Sequence, residues 1–222
     1  MLDELQELLG SRTRELNVPG VAVGIVDGGT EHVLTTGVAS TATGAPVTGD
    51  TLFAIGSTSK TVTGTAAMRL IEQGAFDLDT RVAQLLPDLR LTDEDALEQL
   101  RVRHLLTHSG GFLGDIEDDP EDWGPDALRK SIAGFGEIPQ LFPPGAIASY
   151  SNSGLRLLGH LCAVVSGRGF EELITETVLA PLGMTDSVYF PWEAITRTVL
   201  AISASSVVTA PASPAAPRFL PG

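Results

Sequence analysis

The sequence predicts an α+β fold in which an N-terminal helix and two antiparallel strands begin a sheet and a mainly helical region follows. Three observations carry this expectation. Leucines recur at helical spacing in the opening segment, two β-rich runs flank Asp27-Gly28-Gly29, and a long middle stretch repeats apolar residues at helical intervals between Gly and Pro stops. At 222 residues with 43% hydrophobic content, the chain is long enough to close a core. Its apolar runs fall far short of the roughly 18 to 20 residues that span a bilayer, so no membrane segment is expected.

Leu2, Leu5, Leu8 and Leu9 predict an amphipathic first helix, closed by the helix-stopping run Asn17-Val18-Pro19-Gly20. The stretch "VAVGIVDGGTEHVLTTGVAS" then reads as a hairpin, because Gly-Gly supplies the positive φ angles of a tight turn. From about Ser57 to Gln73 a helix is expected, with Val62, Ala66, Met68, Leu70 and Ile71 available for burial and Gly74 as its stop. "FDLDTRVAQLLPDL" and "TDEDALEQLRVRHLLTHSGG" read as further helical segments opened by Asp or Thr. The acidic run Asp115 to Asp126 reads as a solvated loop. Its alternating carboxylates suggest calcium, but it lacks the glycine of an EF-hand loop, and no metal is assigned. A turn, a short extended piece and a buried helix ending near Gly167 follow, then one more helix.

A net charge of −14, with the 14 basic residues scattered, repels phosphate backbones and argues against a nucleic-acid partner. The N-terminus carries acids where a secretory signal carries bases, which predicts a cytoplasmic protein. Cys162 is the one cysteine, so no internal disulfide forms.

The chemistry-bearing stretch is "FAIGSTSKTVTG". Ser57 and Lys60 lie at i and i+3, neighbours on one helix face, where a lysine can serve as base to a serine nucleophile. If Ser57 opens the helix, its backbone N–H sits at the positive end of the dipole and can stabilise an oxyanion. The plainer alternative is a helix cap, for which Ser and Thr are preferred regardless of function. Only Lys60 and Lys130 are lysines, which sets Lys60 apart from surface filler. In "SYSNSG", Tyr150 and Asn152 stand two apart, so in an extended segment both face one side. Tyr150 then suits proton transfer and Asn152 suits orienting Lys60 and a substrate amide; the alternative is an ordinary turn with a packed tyrosine. His108 beside Ser109 cannot form a triad, no Gly-x-Ser-x-Gly elbow occurs, and His108 reads as structural. His160 and Cys162 point to different helix faces, which argues against zinc.

Together these residues resemble the serine β-lactamase and penicillin-binding-protein family, closest to its class C β-lactamase and family VIII carboxylesterase branch. "LFAIGSTSK" looks like the Ser-x-x-Lys box, "RHLLTHSGG" like the helix-ending segment, "PPGAIASYSNSGLRLLG" like the Tyr-x-Asn box and "LAPLGMTDSVY" like the segment beyond, in family order through about residue 190. The resemblance implies a β-lactamase/transpeptidase-like fold and a serine hydrolase that needs no cofactor. Ser57 would form an acyl-enzyme with a small ester, amide or β-lactam, Lys60 and Tyr150 would share the proton work, and Asn152 would bind substrate.

The family's third element, Lys-Thr-Gly or His-x-Gly on a late strand, is not found: no lysine follows Lys130 and no histidine follows His160. The chain therefore reads as a partial domain over residues 1–197, with 1–50 starting the sheet part and 51–197 mainly helical. An Ala/Ser/Pro-rich tail at 198–222 reads as disordered or foreign to the family. An unfinished two-strand sheet leaves an open edge, from which self-association is expected. A second reading is a catalytically silent truncated homologue that only binds a partner. Since loss of one oxyanion-hole donor typically costs about 2.7 to 4 kcal/mol, residues 1–222 are expected to hydrolyse model esters slowly. A turnover comparable to ordinary enzymes that vanishes in Ser57→Ala overturns that expectation.

Overall fold

The computed structural model describes residues 1–115 and 124–196. Most of the acidic run and the whole 198–222 tail thus lie outside the described residues. The chain forms two compact units, the first built on Met1–Ala54 and the second on Ile55–Glu193.

In the first unit, α1 (Leu2–Glu15) carries Asp3 and Glu4 in its first turn and Arg12 and Arg14 in its last, matching both ends of the helix dipole. β1 (Gly20–Asp27) and β2 (Thr30–Gly37) pair antiparallel in the register Gly20↔Gly37 to Asp27↔Thr30. The turn between them is Gly28-Gly29 at φ +56° and +84°, a geometry that residues with a Cβ resist. Val21, Val23, Ile25, His32 and Leu34 are half-buried on one face, while Ala22, Val26 and Val33 of the other face are exposed, as the pleat requires. Of the four leucines expected on one stripe of this helix, Leu2 and Leu9 are half-buried. Gln6 Nε2 donates to the Thr35 carbonyl at 2.9 Å and Gly10 sits close to Thr36, whereas Leu5 and Leu8 are exposed. Gln6, Gly10 and Thr13 recur every three or four residues on the same side as Leu2 and Leu9, so the inward face mixes apolar, polar and small residues.

In the second unit, a 3-10 turn (Gly56–Thr58) runs directly into α2 (Ser59–Glu72). α2 buries Thr63, Ala66, Ala67 and Leu70; Met68, expected inside, is exposed because it lies off that stripe. Gly74 at φ +77° ends the helix as expected, and Ala75 N–H returns to the Leu70 carbonyl. The two stretches expected to be helical fold into three short helices, α3 (Val82–Leu85), α4 (Glu94–Gln99) and α5 (Val102–Leu106). Only α4 has the expected acidic cap, with Asp93 Oδ1 accepting from Ala96 N–H at 2.8 Å. The physical reason lies in the core: Val82, Leu86, Leu89, Leu91, Leu100 and Leu105 are all buried, and a turning chain aims them at one cluster where a straight helix would not.

After α6 (Ala127–Ala133) comes α7 (Asn152–Ser166), which touches α2, α3, α5, α6 and α8 (Phe170–Ile174). Ser151 caps it by accepting from Gly154 N–H at 2.9 Å, and Gly167 closes it at φ +68°. Leu157, Leu158 and Leu161 are fully buried. A Cβ on Gly159 would stand 2.9 Å from the Phe170 ring, so this glycine lets α8 approach. No helix among the described residues is long and apolar enough to cross a membrane. Truncating Leu157 to Ala is expected to lower unfolding stability by about 2 to 5 kcal/mol in a denaturant titration, as for other fully buried leucines.

Candidate active site

The site grows from the start of α2. Gly56 adopts φ +50°, a left-handed angle with open space around its Cα, so the constraint there is dihedral. The turn it permits places Ser57 one residue ahead of Thr58 and lets the 3-10 turn continue as α2. Lys60 consequently folds back over Ser57, with Nζ donating to Oγ at 3.0 Å. Three hydroxyls further along turn inward to their own helix: Thr61, Thr63 and Thr65 donate to the carbonyls of Thr58, Ser59 and Thr61. Ser57 instead engages the lysine.

Tyr150 arrives from 93 positions away, and its phenol donates to Ser57 Oγ at 2.7 Å. The loop carrying it is held by a backbone zipper against residues 108–114. Leu113 N–H bonds the Pro139 carbonyl, Leu141 and Phe142 both bond Gly111, Gly145 bonds Ser109, Ser149 bonds His108, and Ser153 bonds Gly114, all between 2.7 and 2.9 Å. Gly111 sits at φ +83° with the Phe142 carbonyl 2.1 Å from where a Cβ would be, so the zipper closes only on glycine.

Lys60 Nζ also lies 4.9 Å from the centre of the Tyr150 ring, within cation–π reach. The phenol is held below its usual pKa, first by polar contact with the Lys60 ammonium and second by the Ser57 hydroxyl; slight desolvation and the Asp115 carboxylate oppose this. Tyr189, the other tyrosine, is pushed the opposite way to about 12 by burial and by Glu171. Cys162 is likewise pushed to about 12 by burial, so it stays a protonated, unreactive thiol.

Asn152 occupies a different local setting from the extended one its spacing suggests. Ser151 is extended at φ −139°, ψ 117°, but Asn152 is already the first residue of α7, because Ser151 caps the helix there. Its Nδ2 donates to Asp115 Oδ1 at 2.5 Å. A carboxylate only accepts, so the amide must turn its NH2 to Asp115 and its carbonyl away from it. Ser57, Lys60 and Asn152 line one cavity of about 390 Å³ together with Leu155, Arg156 and Phe170. The structure thus brings Ser57, Lys60 and Tyr150 into direct contact and puts Asn152 on the same cavity. His108 and Asp115 are further neighbours of this group that the motifs did not point to. His108 carried a signal in "HSGG", a helix end where a left-handed residue is common, whereas Asp115 carried none beyond its acidic run. Among the described residues, no group of three His, Cys, Asp or Glu side chains could hold a metal ion.

Residues 5–220 match the Beta-lactamase family. The chain belongs to this family. Penicillin-binding protein 4 of Amycolatopsis lactamdurans is 33% identical over 190 residues, covering 86% of this chain and 50% of that protein. Among solved structures, the class C beta-lactamase of Rhodobacter sphaeroides is similar at TM-score 0.61 and 34% identity, over 78% of this chain and 47% of that one. The D-amino acid amidase of Ochrobactrum anthropi SV3, solved with L-phenylalanine, is similar at TM-score 0.72 and 27% identity, over 87% and 54%. This member of the beta-lactamase family thus spans about half the length of the curated relatives it matches. The fold expected from the Ser-x-x-Lys and Tyr-x-Asn segments, β-lactamase/transpeptidase-like, is the one found.

The two tyrosines separate the electrostatics cleanly. A pH titration followed by 13C-tyrosine NMR is expected to show one phenol ionising below the ordinary value of 10.0 and one near 12. Tyr150→Phe should remove the lower step. A folded-state pKa that is lowered by a cation rises when the cation is removed, so Lys60→Met should move the lower step upward; an unmoved step would sink this account.

Proposed function

We propose that this protein is a serine hydrolase in which Ser57 attacks the carbonyl of a small ester or amide, β-lactams included, and forms an acyl-enzyme. The single observation that carries the reading is convergence: Ser57 Oγ accepts from Lys60 Nζ and from the Tyr150 phenol at 3.0 and 2.7 Å. A helix cap would need neither partner; once the Tyr150 phenol is ionised, the Ser57 hydroxyl can donate to it, which gives the serine proton a route away.

For attack, the Ser57 proton must leave as the Oγ–carbon bond forms. The Tyr150 phenol is drawn toward its ionised form by Lys60, and as phenolate it takes that proton; the regenerated phenol can then hand a proton to the leaving group. Lys60 supplies the positive charge that makes the phenolate accessible, so the two share the proton work. Ser57 N–H, in the first turn of the run that becomes α2, lies at the positive end of the helix and is proposed as an oxyanion donor. Asn152, held by Asp115, offers its carbonyl to a substrate amide N–H in the cavity. A volume of about 390 Å³ is at the low end of ligand pockets, which commonly run about 300 to 1,000 Å³. The names of its relatives, a penicillin-binding protein, beta-lactamases and a D-amino acid amidase, support small acyl substrates.

Intact mass after incubation with a p-nitrophenyl ester and with a penicillin tests the proposal. An acyl adduct that is absent in Ser57→Ala is expected, with Tyr150→Phe and Lys60→Met each slowing its formation by about 10² to 10⁴-fold. No adduct on the wild-type protein with either reagent would refute acyl transfer.

A further inference from the structure

We propose that His108 is a positioning residue for Tyr150, locking the backbone on both sides of the tyrosine and backing its ring. The inference rests on the reading of Tyr150 as proton carrier, and its geometry stands on three separate contacts. His108 accepts Ser149 N–H on its own carbonyl at 2.8 Å, and its Nδ1 accepts Ser151 N–H at 3.1 Å. Its imidazole lies 4.9 Å from the Tyr150 ring, tilted by 32°. One residue therefore grips positions 149, 150 and 151 in succession.

The backbone of His108 shows how it reaches all three. It sits at φ +56°, in the left-handed region where His, Asn and Asp are the side chains most often tolerated. That conformation reverses the chain just after α5, so that carbonyl and imidazole both face the tyrosine loop. An Nδ1 that accepts a backbone N–H bears no proton, so the ring carries its proton on Nε2. The grip at 151 also reaches Asn152, because Ser151 is the cap that starts α7. The charged groups acting on the Tyr150 phenol are Lys60 and Asp115. Holding the phenol on Ser57 and beside Lys60, and not letting it swing out to solvent where it is already half-exposed, is what the three contacts accomplish.

Two variants separate this from a merely structural role. His108→Gly keeps the left-handed backbone and removes both acceptor and ring; His108→Asn keeps the backbone preference and restores an acceptor at the δ position. In the glycine variant the lower tyrosine ionisation is expected to move up toward the ordinary value. Ester acylation should fall by about 10²-fold with KM nearly unchanged, the scale of a small misplacement of a catalytic group. The asparagine variant should recover most of both. A folded glycine variant with wild-type ionisation and acylation overturns the assignment. Should that variant fail to fold, 15N NMR of the wild-type imidazole decides: the Nε2–H tautomer supports the grip on Ser151, and the Nδ1–H tautomer overturns it. If the wild type forms no acyl adduct while Tyr150 ionisation still depends on His108, acyl transfer falls and the positioning of Tyr150 stands.

Discussion

Burial of α7 is the constraint on which the second unit depends. The helix is apolar enough to be covered by α2, α3, α5, α6 and α8, and its leucines at 157, 158 and 161 lose all contact with water. At roughly 25 cal/mol per Å² of apolar surface, that burial is the main term available to fix where the helix sits. Everything at the N-terminal end of α7 inherits this fixity. Tyr150, Ser151 and Asn152 are the last loop residue with a reactive tip, the cap, and the first helical residue, so docking the helix docks the pocket wall.

α2 is the other fixed element. It packs on α7, with Ala67 and Leu70 in the same buried cluster as the α7 leucines, compact residues that let the helices come close, while Ala66 joins Ile174, Val178 and Leu179. Lys60 and Ser57 lie at its N-terminal end, near the end of α7 that holds Tyr150. Two helices packed in the core thus deliver three polar side chains to one point. This is how a rigid scaffold holds a reactive group to the tolerance that chemistry needs, with the precision residing in helix packing while the polar groups themselves remain at the surface.

The polar zipper between residues 108–114 and 139–153 adds a second level of control. Around Phe112, which is buried in the core, it uses backbone donors and acceptors that must be paired wherever they leave water. Glycine at 111 permits the closest approach, and His108 substitutes an imidazole nitrogen for a backbone carbonyl where the helix cap interrupts the regular pattern. Electrostatics then follows from placement. Lys60 lowers the Tyr150 phenol and Asp115 opposes it, so the balance between a cation and a carboxylate at the pocket rim sets the protonation of the group that touches Ser57.

The sequence by itself determined the local chemistry: a hairpin at Gly28-Gly29, a helix stop at Gly74, a stop for α7 near Gly167, and a serine and lysine one turn apart. These are nearest-neighbour properties, fixed by dihedral preference and by 3.6-residue periodicity, and they were legible without any partner. The same local reasoning failed where packing competes with it. It put Leu5 and Leu8 with Leu2 and Leu9 although the first two are exposed, buried Met68, left undivided the segments that fold as three short helices around a shared core, and left Asn152 extended. Only tertiary structure decided those, because burial is settled by which surface arrives from elsewhere in the chain. The contact of Tyr150 with Ser57 across 93 residues, and the pairing of Asn152 with Asp115, belong to the same class. Motif order hinted at the first, but the second left no mark in the sequence, since an acidic residue in a loop looks the same whether or not an amide is waiting for it.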